Sequence, residues 1–262
     1  MKTPPPIIEI KNLGLKINDT WIHRNLDLTI FKGEIIALVG GSGCGKTTLL
    51  RQILQLQKPT TGSIKVLGID TLTASEAELH EIRKKWGVVF QQDALFTSLT
   101  TLENTAFPLT HYTDLDKSII NELAMLKIKL VGLSEDAAWK YPDELSGGMQ
   151  KRAAIARACA LDPILLFLDE PTAGLDPEAA EEFDELILRL RSSFNLTVIM
   201  ATHDVDSLWR ITDRVAFLAE KHVVGLGTMS ELVENDNPLI KNYFNGPRGR
   251  KTAEAHAKWK TE

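Results

Sequence analysis

Residues 40–47 read Gly40-Gly41-Ser42-Gly43-Cys44-Gly45-Lys46-Thr47, which fits the phosphate-loop pattern G-x-x-x-x-G-K-[ST]. Glycines let the backbone curl so that successive N–H groups point at one anion, beside the positive end of a following helix. Lys46 can reach β and γ phosphates from this loop, and the Thr47 hydroxyl suits a Mg²⁺ shell. Thr48 extends the candidate site into the helix start. The flanks agree with this reading. The short apolar run Ile35 to Val39 comes just before, and Thr48 to Gln55 has helical spacing just after, so strand, loop and helix follow in order.

Working outward, three more short apolar runs stand between polar or glycine-rich boundaries: Val88 to Phe90, Ile164 to Leu168 and Val198 to Ala201. Longer segments of helical spacing separate them, which predicts a mostly parallel sheet covered by helices on both faces. Ile8 to Lys11 and Leu26 to Ile30 instead alternate apolar and polar residues, as half-exposed antiparallel strands do. Val215 to Leu218, Glu220-Lys221 and Val223-Val224 read as a late hairpin. Residues 93–139 carry no buried-strand run and look mainly helical. The expected fold is α/β: a P-loop NTPase core with a mostly parallel sheet, an antiparallel β subdomain at the N-terminus, and an α-helical subdomain inserted at about 92–159. The domain is expected to fill residues 1–246, with a polar, weakly basic tail at 247–262.

Bulk properties narrow the function classes. A formal net charge of -5 argues against a general nucleic-acid binder, because phosphate backbones select basic surfaces. Cys44 and Cys159 lack the paired spacing of a zinc site or disulfide framework, which points to a reducing compartment. No stretch approaches the run of roughly twenty apolar residues that crosses a bilayer. The start, Lys2-Thr3 followed by Pro4-Pro5-Pro6, has no apolar core of a secretion signal. A cytoplasmic chain is expected, and any membrane role then needs a partner chain.

Two further motifs carry chemistry. The run Ile164 to Leu168 leads directly into Asp169-Glu170, placing two carboxylates at the ligand-binding edge of such a sheet. Asp169 suits Mg²⁺, and Glu170 suits a general base for an attacking water. Leu145-Ser146-Gly147-Gly148-Met149-Gln150 precedes the helical run Lys151 to Ala160, with Ser146 as cap and ligand. A plain helix cap explains that segment equally well by itself. A second phosphate-binding helix start in one chain, however, suggests a nucleotide shared with a second copy.

The phosphate loop, residues 145–150, Leu168-Asp169-Glu170-Pro171-Thr172-Ala173-Gly174-Leu175-Asp176 and His203 in Ala201-Thr202-His203-Asp204 occur in that order. Together they closely resemble the ATPase subunits of ATP-binding cassette (ABC) transporters, over residues 7 to about 245. The resemblance implies ATP and Mg²⁺ as cofactors and a head-to-tail pair of subunits. Gln91, after Val88-Val89-Phe90, would touch Mg²⁺ and the attacking water. Ser146, Gly147 and Gly148, with Gln150 beside them, would meet the γ phosphate held by the opposite subunit. Asp176 would sit at the subunit interface, and His203 would contact the γ phosphate and hold Glu170.

One position departs from the family, which usually stacks an aromatic residue on adenine. Ile17 falls there, with Trp21 nearby. Trp139 and Tyr141, ahead of the 145–150 motif, are expected to be packing residues. Asp93-Ala94-Leu95-Phe96, Leu102 to Leu109, Lys129 to Leu133 and Asn237 to Gly246 look like the ATPase of MCE-associated lipid transporters. That likeness implies an integral-membrane permease, an MCE lipid-binding protein, phospholipid cargo and a place on the cytoplasmic face of the inner membrane. Transport of another solute by the same catalytic site is the alternative. A soluble non-transport ABC ATPase is disfavoured, because neither a second cassette nor a long coiled-coil insertion is present.

Overall fold

The computed structural model describes residues 5–244. Packing divides the described residues into two compact units: 5–79 together with 199–244, and 80–198.

In the first unit, β1 (Pro6–Ile17) and β2 (Thr20–Phe31) pair antiparallel around Asn18 and Asp19, both left-handed, with φ of 46 and 63°. Their inward residues, among them Ile8, Ile10, Leu26, Leu28 and Ile30, are buried, whereas Asp27 is exposed. Each strand is twelve residues long, more than the alternation suggests, because register shifts break the period of two. β3 (Ile35–Val39) is buried at every residue and feeds the phosphate loop, after which α1 (Lys46–Ile53) begins. β4 (Thr61–Val66) and β5 (Ile69–Asp70) then complete an antiparallel sheet of order β2-β1-β4-β5. Sequence patterning missed these two strands. Only Ile64 and Val66 of β4 are buried, too few to set a pattern.

The boundary in sequence falls within α2 (Glu76–Arg83), whose residues 76–79 belong to the first unit and 80–83 to the second. The second unit contains β6 (Trp86–Val89), α3 (Thr101–Tyr112), α4 (Lys117–Leu130), α5 (Gly147–Ala158), β7 (Leu165–Asp169) and α6 (Pro177–Phe194). β8 (Thr197–Ala201) gives its first two residues to this unit and its last three to the first. The first unit then closes with α7 (Val205–Ile211), β9 (Arg214–Ala219), β10 (His222–Gly227), α8 (Met229–Val233) and α9 (Pro238–Phe244).

Strand order is β10-β9-β3-β8 in the first unit and β8-β7-β6 in the second. β3 and β9 pair parallel, as do β6 and β7. The expected hairpin is present as β9 and β10, antiparallel across Glu220 and Lys221, which both take positive φ. All residues of β3, β7 and β8 are buried, as strands covered on both faces require. Phe167 of β7 is fully buried, edge-on to Trp86 at 6.0 Å. Phe167→Ala is expected to cost about 3–5 kcal/mol of stability, read from the denaturant midpoint. A loss below about 1 kcal/mol would mean that the core refills the space.

The segment read as helical contains α3, α4 and two short 3₁₀ turns at Glu135–Trp139 and Pro142–Glu144. Thr100 and Glu103 form a capping box that starts α3. Asn104, fully buried, ties down the loop ahead of it: its side chain accepts from the Phe96 N–H and donates to the carbonyls of Phe96, Leu99 and Thr100. Trp139 and Tyr141 are not packing residues. They are 62% and 45% exposed, because the 3₁₀ turns bury Ala137, Ala138 and Pro142 instead. α9 packs Tyr243 and Phe244 around Phe217, and Ile240 is buried, which accounts for the apolar part of Asn237 to Gly246. The tail read at 247–262 lies outside the described residues. Among the described residues, no helix is long and apolar enough to cross a membrane.

Candidate nucleotide site

The phosphate loop is closed on one side and open on the other. At Gly40, φ is 151° and a Cβ would lie 2.2 Å from the Leu218 carbonyl oxygen, so no other residue fits. Gly45, with φ of 100°, is similarly crowded by His23. A Cβ on Gly41 or Gly43 would meet nothing within 4 Å, which leaves a cradle on the open side. The Cys44 N–H donates back to the Gly41 carbonyl at 3.2 Å, and the Lys46 ammonium donates to the Gly40 carbonyl at 3.0 Å. No side chain caps α1, so its first N–H groups suit an anion, and the loop fits the phosphates of ATP. At the end of β8 the Thr202 N–H donates to the Leu38 carbonyl at 3.2 Å. That bond brings His203 to the strand edge from which the loop departs.

The second unit collects the remaining candidates at one strand edge and two helix starts. β6 and β7 are paired up to Val89 and Leu168, so Gln91 and Glu170 each lie two residues beyond matched positions. β6 ends one residue earlier than the apolar run suggests, and Gln91 belongs to a turn. Asp169 is the last residue of β7, and buried. Glu170 takes a left-handed φ of 50°, a backbone cost that side chains at functional positions often carry. Ser146 caps α5, accepting from the Met149 N–H at 3.3 Å, while Gly147 and Gly148 leave open space beside it. The Gln150 amide donates to the carbonyls of Pro142 and Leu145, so it shapes the turn ahead of α5. Asp176 caps α6 through the Ala179 N–H at 2.9 Å.

Two cations that sequence reading did not single out hold the segment after Gln91. Asp93 and Ala94 are both left-handed, with φ of 58 and 51°. The Arg157 guanidinium donates to their carbonyls at 2.9 and 2.7 Å, and Lys151 pairs with the Asp93 carboxylate at 3.3 Å. Burial pushes the Asp93 carboxyl up against the pull of Lys151, and also lowers Arg157. Both cations lie in an unremarkable helical run some sixty residues away in sequence, so no local signal marks them. Arg157→Ala is expected to lower kcat on the order of tenfold with ATP affinity unchanged, by releasing Gln91 from its position. Equal kcat in steady-state assays would remove that role. Nearby, a groove of about 370 Å³ is lined by Trp86, Phe96, Phe107, Tyr112, Arg83 and Arg157.

Ile17 is 40% exposed and Trp21 half-buried, with the Arg24 guanidinium 6.0 Å from the indole centre.

The ABC transporter family profile matches residues 23–173. The chain is 42% identical over 240 residues to the intermembrane phospholipid transport system ATP-binding protein MlaF of Haemophilus influenzae, covering 92% of this chain and 90% of that one. It is 39% identical over 241 residues to the probable ribonucleotide transport ATP-binding protein mkl of Mycobacterium leprae, covering 92% and 69%. A solved dimeric, post-hydrolysis structure of the ATP-binding cassette MJ0796 with ADP and Pi superposes with a TM-score of 0.77 at 33% identity, over 85% of this chain and 98% of that one. The chain belongs to the ABC transporter family. It is an ATP-binding ATPase.

Proposed function

We propose that this chain energises phospholipid transport between membranes, as the ATPase subunit of a transporter. The observation that carries the cargo is the 42% identity to the Haemophilus influenzae phospholipid-transport subunit along nearly the whole of both chains. The cassette occupies residues 1–246, with residues 92–159 as its helical subdomain. Gly40 to Thr48 hold the phosphates, with Lys46 on the β and γ groups. Thr47, Gln91 and Asp169 would hold Mg²⁺, which would supply charge neutralisation on the phosphoryl group. Glu170 takes the proton from the attacking water, Gln91 orients that water, and His203 fixes Glu170 and meets the γ phosphate. Ser146, Gly147, Gly148 and Gln150 serve the nucleotide of a second copy, with Asp176 at the interface. The dimeric state of the MJ0796 cassette supports this pairing. Trp21 is the better adenine platform, since Ile17 offers no ring.

The groove beside Arg157 suits an integral-membrane permease, its aromatic walls offering apolar contact and its arginines meeting acidic groups. An MCE lipid-binding protein and a place on the cytoplasmic face of the inner membrane complete the reading. The alternative, another solute carried with the same catalytic site, is not favoured, because the phospholipid-transport relative matches at higher identity and over more of its own length than the Mycobacterium leprae one. Purifying the N-terminally tagged chain from detergent-solubilised native membranes tests both. Co-purification of a permease, an MCE protein and bound phospholipid is the expected result. A permease with a soluble solute receptor and no lipid would discard the cargo and keep the ATPase.

A further inference from the structure

A buried polar pair lies against the last glycine of the phosphate loop. His23 of β2 is fully buried, and Gln52 of α1 is 1% exposed. The His23 Nδ1 is 2.8 Å from the Gln52 Oε1. An amide oxygen only accepts, so Nδ1 is the donor in this bond. The His23 Nε2 is buried without a hydrogen-bond partner and is aimed at Gly45, where a Cβ would lie 2.4 Å from it. Burial holds the imidazole below its ordinary value, against smaller opposite effects of Gln52 and the Gly45 backbone. At neutral pH the ring is therefore an uncharged wedge. Gly45 is also the first residue of the helix ladder, its carbonyl accepting from the Leu49 N–H at 2.8 Å. Its conformation sets where the next N–H groups, those of Lys46 and Thr47, are directed.

We propose that His23 is a positioning residue of the nucleotide site: its Nε2 edge holds Gly45 in the left-handed conformation that aims the helix-start N–H groups, and Gln52 fixes the ring. This rests on reading residues 40–47 as the phosphate site. Such support acts equally on bound ATP and on the transition state, so it appears in KM and leaves kcat alone.

The test compares two variants of the full chain by calorimetric titration with ATP and by turnover. His23→Asn keeps a donor where Nδ1 stands but withdraws from Gly45, whereas His23→Gln places its amide where Nε2 stands. His23→Asn is expected to weaken ATP binding on the order of tenfold with kcat unchanged, and His23→Gln to stay within about threefold. If both variants weaken ATP equally, or neither does, His23 is only a packing residue and the inference is overturned. Should neither fold, Gln52→Leu frees the ring without deleting it. Several-fold weaker ATP binding then supports the role and unchanged affinity overturns it. Lys46→Ala tests the site itself, so its failure is distinguishable from a failure of His23 alone.

Discussion

Glu170→Gln is expected to lower ATP turnover by roughly 10²–10⁴-fold, the range that a positioned general base supplies. Glutamine keeps the size of the side chain and the left-handed backbone at this position, and it removes only the capacity to take a proton. ATP affinity should therefore stay near that of the unaltered chain. With hydrolysis blocked, the head-to-tail pair should persist on ATP and be seen as a larger species in size-exclusion chromatography. Turnover within tenfold of the starting rate would sink the assignment of Glu170 as base. Lost ATP binding would instead mean that the carboxylate shapes the site.

Lys46→Ala should act on the other half of the chemistry. A hydrogen bond to a charged group contributes about 1.5–3 kcal/mol, so losing the ammonium is expected to raise the Kd of ATP about 10- to 150-fold. The fold should survive, because among the described residues the Lys46 ammonium holds just the Gly40 carbonyl. Lys46→Arg should not rescue binding, since a planar fork cannot replace a compact ammonium over a tight loop. Titration with ATP reads both variants. Unchanged affinity in Lys46→Ala would remove residues 40–47 from the nucleotide site.

The two variants separate binding from chemistry, and they bear on different compact units. Lys46 belongs to the first, Glu170 to the second. A defect in either should leave the other step measurable.

Much of this protein is legible along the chain. Glycine at 40 and 45 is legible because a phosphate loop has few local solutions. The buried strands β3, β7 and β8 are legible because complete burial on both faces demands unbroken apolar runs. Ser146 announces a helix start through cap chemistry that is local in the chain. Other features depend on contacts made by folding. β4 and β5 bury too few side chains to set a period; β4 exists because β1 offers it an edge, and β5 because β4 does. Trp139 and Tyr141 look like core residues by type, but the 3₁₀ turns around them aim them at solvent. Arg157 and Lys151 reach Asp93 and Ala94 across some sixty residues, and His23 and Gln52 meet across twenty-nine. Caps, turns and buried runs are fixed by neighbours in the chain, whereas a clamp on a loop needs partners that only folding brings within hydrogen-bond distance.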